Sequence, residues 1–220
     1  MLKSFFYDFG GLNIYLFKLI NSYFGKEKYD YLMILADFFA GYRNFKYHLL
    51  VLIIFAAFTI LTNRNNQARV KFLTFNWLEF MATLLSSVFA CFILIFALKA
   101  IFLLPRPFCS QDLVNIHEIK IITGHASCFH SFPSGHTSFC TVFVASLWPY
   151  ANRIFRFFGA ILIVLIGISR ITAGAHFPAD VIWSFVLSLA VTILARHCVK
   201  SIISRHGNLI YNFIPWISKA

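Results

Sequence analysis

Two histidines, three cations and one carboxylate stand at the ends of apolar stretches in this chain. They fall in three clusters: Lys99 with Arg106-Pro107, Pro133-Ser134-Gly135-His136, and Ser169-Arg170 with His176 and Asp180. An ionisable side chain in or beside a membrane span is costly unless it is paired or has work to do. Cations hold phosphate oxygens, an imidazole attacks or donates a proton, and a carboxylate fixes the imidazole that does so. Converging at one membrane face, these groups are equipment for breaking a phosphate ester.

Each cluster also has a plainer reading. Lys99 and Arg106 are seven residues apart, two helical turns, so they share a face if the helix continues that far, while Pro105 and Pro107 should break it there. Alone, the pair could be cations snorkelling to headgroups. Ser134-Gly135-His136 precedes an apolar run, where a glycine allows close backbone approach and free helix N–H groups favour an anion. Alone, it could be a turn and N-cap with His136 an incidental interfacial residue. Asp180 lies one turn from His176, close enough to orient its ring, and is the last carboxylate in the chain. At a helix N-terminus it would also gain up to about 1 kcal/mol from the helix dipole. The dipole accounts for Asp180 but not for the company of His176 and Arg170.

The elements that must position these groups are membrane helices. The chain has 220 residues, 60% hydrophobic and 12% charged, and a mean hydropathy of +0.76. About 25% charged is usual for a soluble domain. Apolar runs are continuous and do not alternate with period two, which argues against a barrel. Five spans are expected: Phe45 to Thr62, Trp77 to Leu104, Ser138 to Ala151, Phe157 to Ile171 and Pro178 to Val199. The third and fourth are short for a full crossing of roughly 20 residues. Residues 1–43 are interrupted by Asp8, Lys18, Lys26, Glu27, Lys28, Asp30 and Asp37. They read as two short interfacial or partly inserted helices with a break near Gly25-Lys26-Glu27-Lys28, and a sixth crossing there is open. The fold class is therefore all-α, a polytopic membrane helix bundle of five to six transmembrane helices. It forms a single domain over 1–220, with its membrane core at 45–200.

Alternating helix directions bring all three clusters to one face. The opposite face carries Arg64, Arg69, Lys71, Arg153, Arg156, Arg196, Lys200, Arg205 and Lys219. The site face, leaving aside the N-terminal region, carries only Lys120 outside the clusters. The positive-inside rule then puts the site outside the cytoplasm. Lys26, Lys28, Arg43 and Lys46 are the weak part of that count, because their side depends on the sixth crossing. The net charge of +11 is explained by these connections. No basic stripe interleaved with aromatics points to nucleic acid. The N-terminus lacks a clean apolar region with a small-residue cleavage site, so no cleavable signal peptide is expected.

Five cysteines show no C-x-x-C spacing. Cys91, Cys140 and Cys198 fit small buried hydrophobes. Cys109 and Cys128 share a loop and could form a disulfide in an oxidising compartment, or remain two thiols. His117, His125 and His130 lie in the same loop without a metal spacing signature, and residues 108–131 are expected to line the site entrance.

Together the clusters read K-x6-R-P, P-S-G-H and S-R-x5-H-x3-D. In this the chain resembles the type 2 phosphatidic acid phosphatase superfamily, over roughly residues 45–200. The segment Leu12 to Tyr42 looks less specifically like the N-terminal region of small bacterial members. The resemblance implies a membrane phosphatase acting on a lipid phosphomonoester or diphosphate through a phosphohistidine. His176 would be the nucleophile, Asp180 its orienting carboxylate and His136 the general acid. Lys99, Arg106, Ser134, Gly135 and Arg170 would bind the phosphate. No metal or other cofactor is expected, and the partners are a phosphorylated membrane lipid and the bilayer, with no nucleic acid and no protein partner inferable. The expected location is a bacterial inner membrane, with the site facing the periplasm or exterior. Phosphatidylglycerophosphate, phosphatidate, undecaprenyl diphosphate and lipid A phosphates all fit. A lipid phosphotransferase on the same scaffold, and a non-catalytic anion or lipid carrier, are the alternatives.

Overall fold

The computed structural model describes residues 7–41, 44–110, 113, 115–124 and 126–213, with side chains to residue 205. Arg43 and His125 lie outside the described residues, as does Lys219. The helices are α1 (Leu12–Phe24), α2 (Glu27–Ala40), α3 (Phe45–Thr62), α4 (Gln67–Phe102), α5 (Lys120–Thr123), α6 (Gly135–Leu147), α7 (Arg153–Thr172) and α8 (Pro178–Phe213). Among the described residues there is no strand.

Four helices, α3, α4, α7 and α8, are long and apolar enough to cross a membrane, and the chain is an integral membrane protein. The 13-residue α6, about 20 Å long and where the expected short third span lies, packs among α4, α7 and α8 but is too short to rank with those four. Caps set several starts. Asn66 accepts from the Arg69 N–H, Ser134 from the Thr137 N–H and Asn152 from the Phe155 N–H. The expected second span begins ten residues early, at Gln67, and the last helix runs past Val199 to Phe213. Hydropathy marks where lipid ends, whereas the backbone hydrogen bonds continue.

Small hydroxyl residues line the bundle interior beside its apolar clusters. Thr83, Ser87, Ser138, Thr141, Ser146, Ser184, Ser188 and Thr192 are all buried. Small side chains let helices approach closely where lipid offers no hydrophobic driving force. At Gly167 in α7 the approach is tightest: a Cβ there would lie 2.6 Å from Val181 Cγ1 on α8.

The N-terminal helices settle on the site end. Asn13 Oδ1 accepts from the Ala179 N–H at 2.9 Å, and Asn21 Nδ2 donates to His117 O and Thr172 O, each at 2.9 Å. Phe17 is fully buried in a cluster with Ile171 and Phe177. These partners flank the α7–α8 turn, so the 13-residue α1 packs over it, and it is shorter than a full crossing of roughly 20 residues. From there α2 descends beside α7, with Met33 against Ala173 and Ala40 against Cys140 and Ile166. The expected break falls at Gly25-Lys26. Lys26 and Lys28 therefore sit at the site end.

Candidate active site

Four helix ends and two turns supply the site. Lys99 is in the last turn of α4, Ser134 caps α6, Gly135 and His136 open it, Arg170 is in the last turn of α7, and Asp180 is in the first turn of α8. Arg106 is not on the helical face shared with Lys99, because α4 ends at Phe102 and Leu103 turns left-handed at φ 44°. The loop delivers Arg106 instead: its N–H donates to Cys128 O at 2.8 Å, and Ser131 N–H donates to Leu104 O at 3.0 Å. Cys109 and Cys128 form a disulfide that ties this loop together. Arg106 then donates from Nε to Ser127 O and from Nη1 to Ala175 O, both at 2.9 Å. The Lys99 ammonium donates to His130 O.

His176 sits in the turn joining α7 to α8 and is 3% exposed. Gly174, at φ 73°, makes that turn, and the N–H groups of Ala175 and His176 cap the Arg170 carbonyl at 3.1 and 3.2 Å. The imidazole is held on both sides, with Nε2 3.2 Å from Arg106 Nη1 and Nδ1 3.4 Å from Asp180 Oδ2. Burial, then the charges of Arg106, Lys99, Arg170 and His136, hold its imidazole well below the usual histidine range. A neutral ring keeps a nitrogen lone pair available, as an attacking imidazole requires.

Asp180 is fully buried, and its carboxylate accepts three hydrogen bonds, none of them from the His176 ring. Tyr7 Oη donates to Oδ1 at 2.9 Å, while Ser131 Oγ and the Phe177 N–H donate to Oδ2 at 2.5 and 2.8 Å. Burial, then the Asp180 charge, keeps the Tyr7 phenol protonated by pushing its pKa up. Ser184 Oγ donates to the Asp180 carbonyl and accepts from the Ser134 N–H at 2.6 Å. That bridge joins the P-S-G-H turn to α8.

On the other side of the site, Arg170 is 1% exposed. Its Nη1 donates to Asp37 Oδ1 from α2, and its Nη2 is buried without a hydrogen-bond partner among the described residues. An unmatched buried donor costs about 1–3 kcal/mol, so this guanidinium is built for an acceptor. Apart from its chain neighbours and its own helix backbone, no heavy atom of the described residues lies within 4 Å of a Cβ position on Gly135, leaving room before the first turn of α6. Ser134 does act as the N-cap: its hydroxyl oxygen accepts from Thr137 N–H and Thr137 Oγ1, which leaves its own proton for a ligand.

His117 plays another part. It pairs with Asp30 at 2.7 Å, and its N–H donates to Asn21 Oδ1 at 2.9 Å, pinning the loop to α1 and α2. Among the described residues no three His, Cys, Asp or Glu side chains group as metal ligands.

Sequence reasoning missed Tyr7, Ser131 and Asp37. Nothing in the sequence signals the first two, whose link to Asp180 spans 173 and 49 residues. Asp37 has a signal, a carboxylate within an apolar segment, but in the sequence it marks only an interruption.

Comparison with known proteins agrees with this architecture. The chain is similar in fold to the crystal structure of LpxE from Aquifex aeolicus. The TM-score is 0.64 at 23% identity, over 84% of this chain and 94% of that one. No curated protein sequence matches. The model of the PAP2 superfamily matches residues 76–204, more than half of the chain, from α4 through the Lys99, His136, His176 and Asp180 positions to α8. The chain belongs to the PAP2 superfamily.

Proposed function

We propose that this single-domain protein is a lipid phosphate phosphatase working through a phosphohistidine at His176. The observation that carries the reading is the buried imidazole of His176, set between Arg106 and Asp180. It lies 3.2 Å from the Arg106 guanidinium, beside an Arg170 with a buried donor to spare. The phosphate of the substrate lies among Lys99, Arg106 and Arg170, with the Ser134 hydroxyl and the Gly135 amide completing the cradle. Charge gathers on the equatorial oxygens in the transition state, where these fixed donors stabilise it most.

In the first step Nε2 of His176 forms a bond to phosphorus as the ester oxygen leaves, and His136 protonates that oxygen. Asp180 holds the proton on Nδ1 and stabilises the positive ring that results. In the second step water attacks phosphorus and gives a proton to His136, and the P–N bond breaks to release phosphate. The positive field comes from side chains, and no step uses a metal.

One feature supports a lipid as substrate, and two support a position outside the cytoplasm. An apolar cavity of about 720 Å³ between α6, α7 and α8 starts at Thr137, next to His136. It passes Val144, Ile168 and Phe185 to Trp148, in position for a hydrocarbon tail. The Cys109–Cys128 disulfide at the site end fits an oxidising compartment. The cation count points the same way, although Lys26 and Lys28 at the site end narrow its margin.

The test is phosphate release in detergent from a short-chain phosphatidate, native against His176→Ala. The native chain turns over and the variant does not; turnover surviving the change removes His176 as nucleophile.

A further inference from the structure

The site holds a second histidine–carboxylate pair. Asp37 Oδ1, from α2, lies 3.1 Å from His136 Nε2 and also accepts from Arg170 Nη1. Ala40, one turn on, is buried against Cys140 of α6 and Ile166 of α7, so the descent of α2 into the bundle sets the height of this carboxylate. Asp37 belongs to none of the three motifs and is 133 residues from its arginine partner.

We propose that Asp37 is a positioning residue for proton donation, holding His136 charged and oriented as Asp180 holds His176. This rests on the phosphatase reading above.

The argument is electrostatic and geometric. A general acid must hold its proton before the leaving group needs it, yet His136 stands among the guanidinium groups that bind phosphate. Like charges favour its neutral form, and an adjacent carboxylate opposes them. Asp37 is the carboxylate in contact with it. In an imidazolium both nitrogens carry protons. Asp37 accepts one at Nε2, which leaves the Nδ1 proton to be given to the departing ester oxygen. His136 is then neutral, and Nδ1 takes a proton from the attacking water in the second step, so the ring returns to its starting charge. The two pairs thus engage opposite nitrogens: Asp180 takes Nδ1 of its histidine and Asp37 takes Nε2. The same Asp37 oxygen also aligns Arg170, leaving Nη2 for a phosphate oxygen.

The experiment compares the full-length native chain, Asp37→Asn, Asp37→Glu, His136→Ala and the double variant His136→Ala/Asp37→Asn in detergent. Each is given two substrates, a short-chain phosphatidate with a poor alkoxide leaving group and a nitrophenyl phosphate with a good one. Asp37→Asn is expected to lower kcat on phosphatidate about 100-fold, the low end of a general acid's contribution. The loss on the nitrophenyl ester should be under about tenfold, KM nearly unchanged, and Asp37→Glu should recover part of the rate. Adding Asp37→Asn to His136→Ala should then change little, because the histidine it serves is gone and the asparagine oxygen can still accept from Arg170. Equal losses on both substrates, or a lowered KM with kcat retained, overturn the proposal. The second outcome would make Asp37 a competitor for the phosphate seat. If Asp37→Asn fails to fold, Asp37→Glu gives the same discrimination through its ratio of rates on the two substrates. Failure of His136→Ala to separate the two substrates would count against His136 as acid, and so against Asp37 too. Silence of the native chain on both substrates would overturn the phosphatase reading itself.

Discussion

The two imidazoles of this site differ more in their surroundings than in their chemistry. His176 is 3% exposed in a tight turn between two long helices, and Asp180 beneath it is fully buried with three donors on its carboxylate. His136 opens a short helix, its side chain 24% exposed, and faces Asp37, whose side chain is 33% exposed. The first pair is locked by the α7–α8 turn, the loop and Tyr7. The second hangs on the placement of α2. A nucleophile must hold one angle to phosphorus, whereas a proton donor must exchange protons with leaving group and water. The buried and the open pair match those separate demands.

That contrast predicts an order of sensitivities. Asp180→Asn should be hardest hit, with folding retained and kcat lowered on the order of 10,000-fold on every substrate, as for the carboxylate that fixes the tautomer of a catalytic triad. A loss confined to poor leaving groups would contradict its assignment to the nucleophile. His136→Ala should lose about 100-fold on phosphatidate and much less on a nitrophenyl ester; equal losses would argue against acid duty. Tyr7→Phe removes one of three donors to Asp180, and a drop in kcat of about tenfold or less is expected, since two donors remain. No change in kcat would show that Tyr7 only packs there.

The pH profile sharpens the same comparison. The pKa of His176 is depressed, so its neutral, attacking form persists as pH falls. The acidic limb of kcat/KM should therefore lie below about 6.5, the ordinary histidine value. A limb at or above that value would mean that neither burial nor the neighbouring cations Arg106 and Lys99 depress this ring.

Most of the scaffold was legible because lipid imposes a strict demand: apolar runs as long as the bilayer is thick, with charges only at their ends. Lys99, Arg106, His136, Arg170, His176 and Asp180 stood out for that reason. What could not be read was contact across sequence. Asp37 and Tyr7 reach Arg170 and Asp180 only because α1 folds over the α7–α8 turn through Asn13 and Asn21, and α2 descends beside α7. Nothing local encodes that placement. Arg106 differs again: Pro105 and Pro107 announced the break, but the loop that redirects it toward His176 depends on partners at Cys128 and Ala175.

The claim beneath all of this is that phosphorus becomes bonded to one particular imidazole. Brief mixing with a radiolabelled lipid phosphate, followed by an alkaline quench, should leave acid-labile label on the peptide carrying His176. His136→Ala, which lacks the group that activates water, should retain more of that label with a good leaving group, and His176→Ala none. Label on any other residue, or label that survives in His176→Ala, would contradict the account.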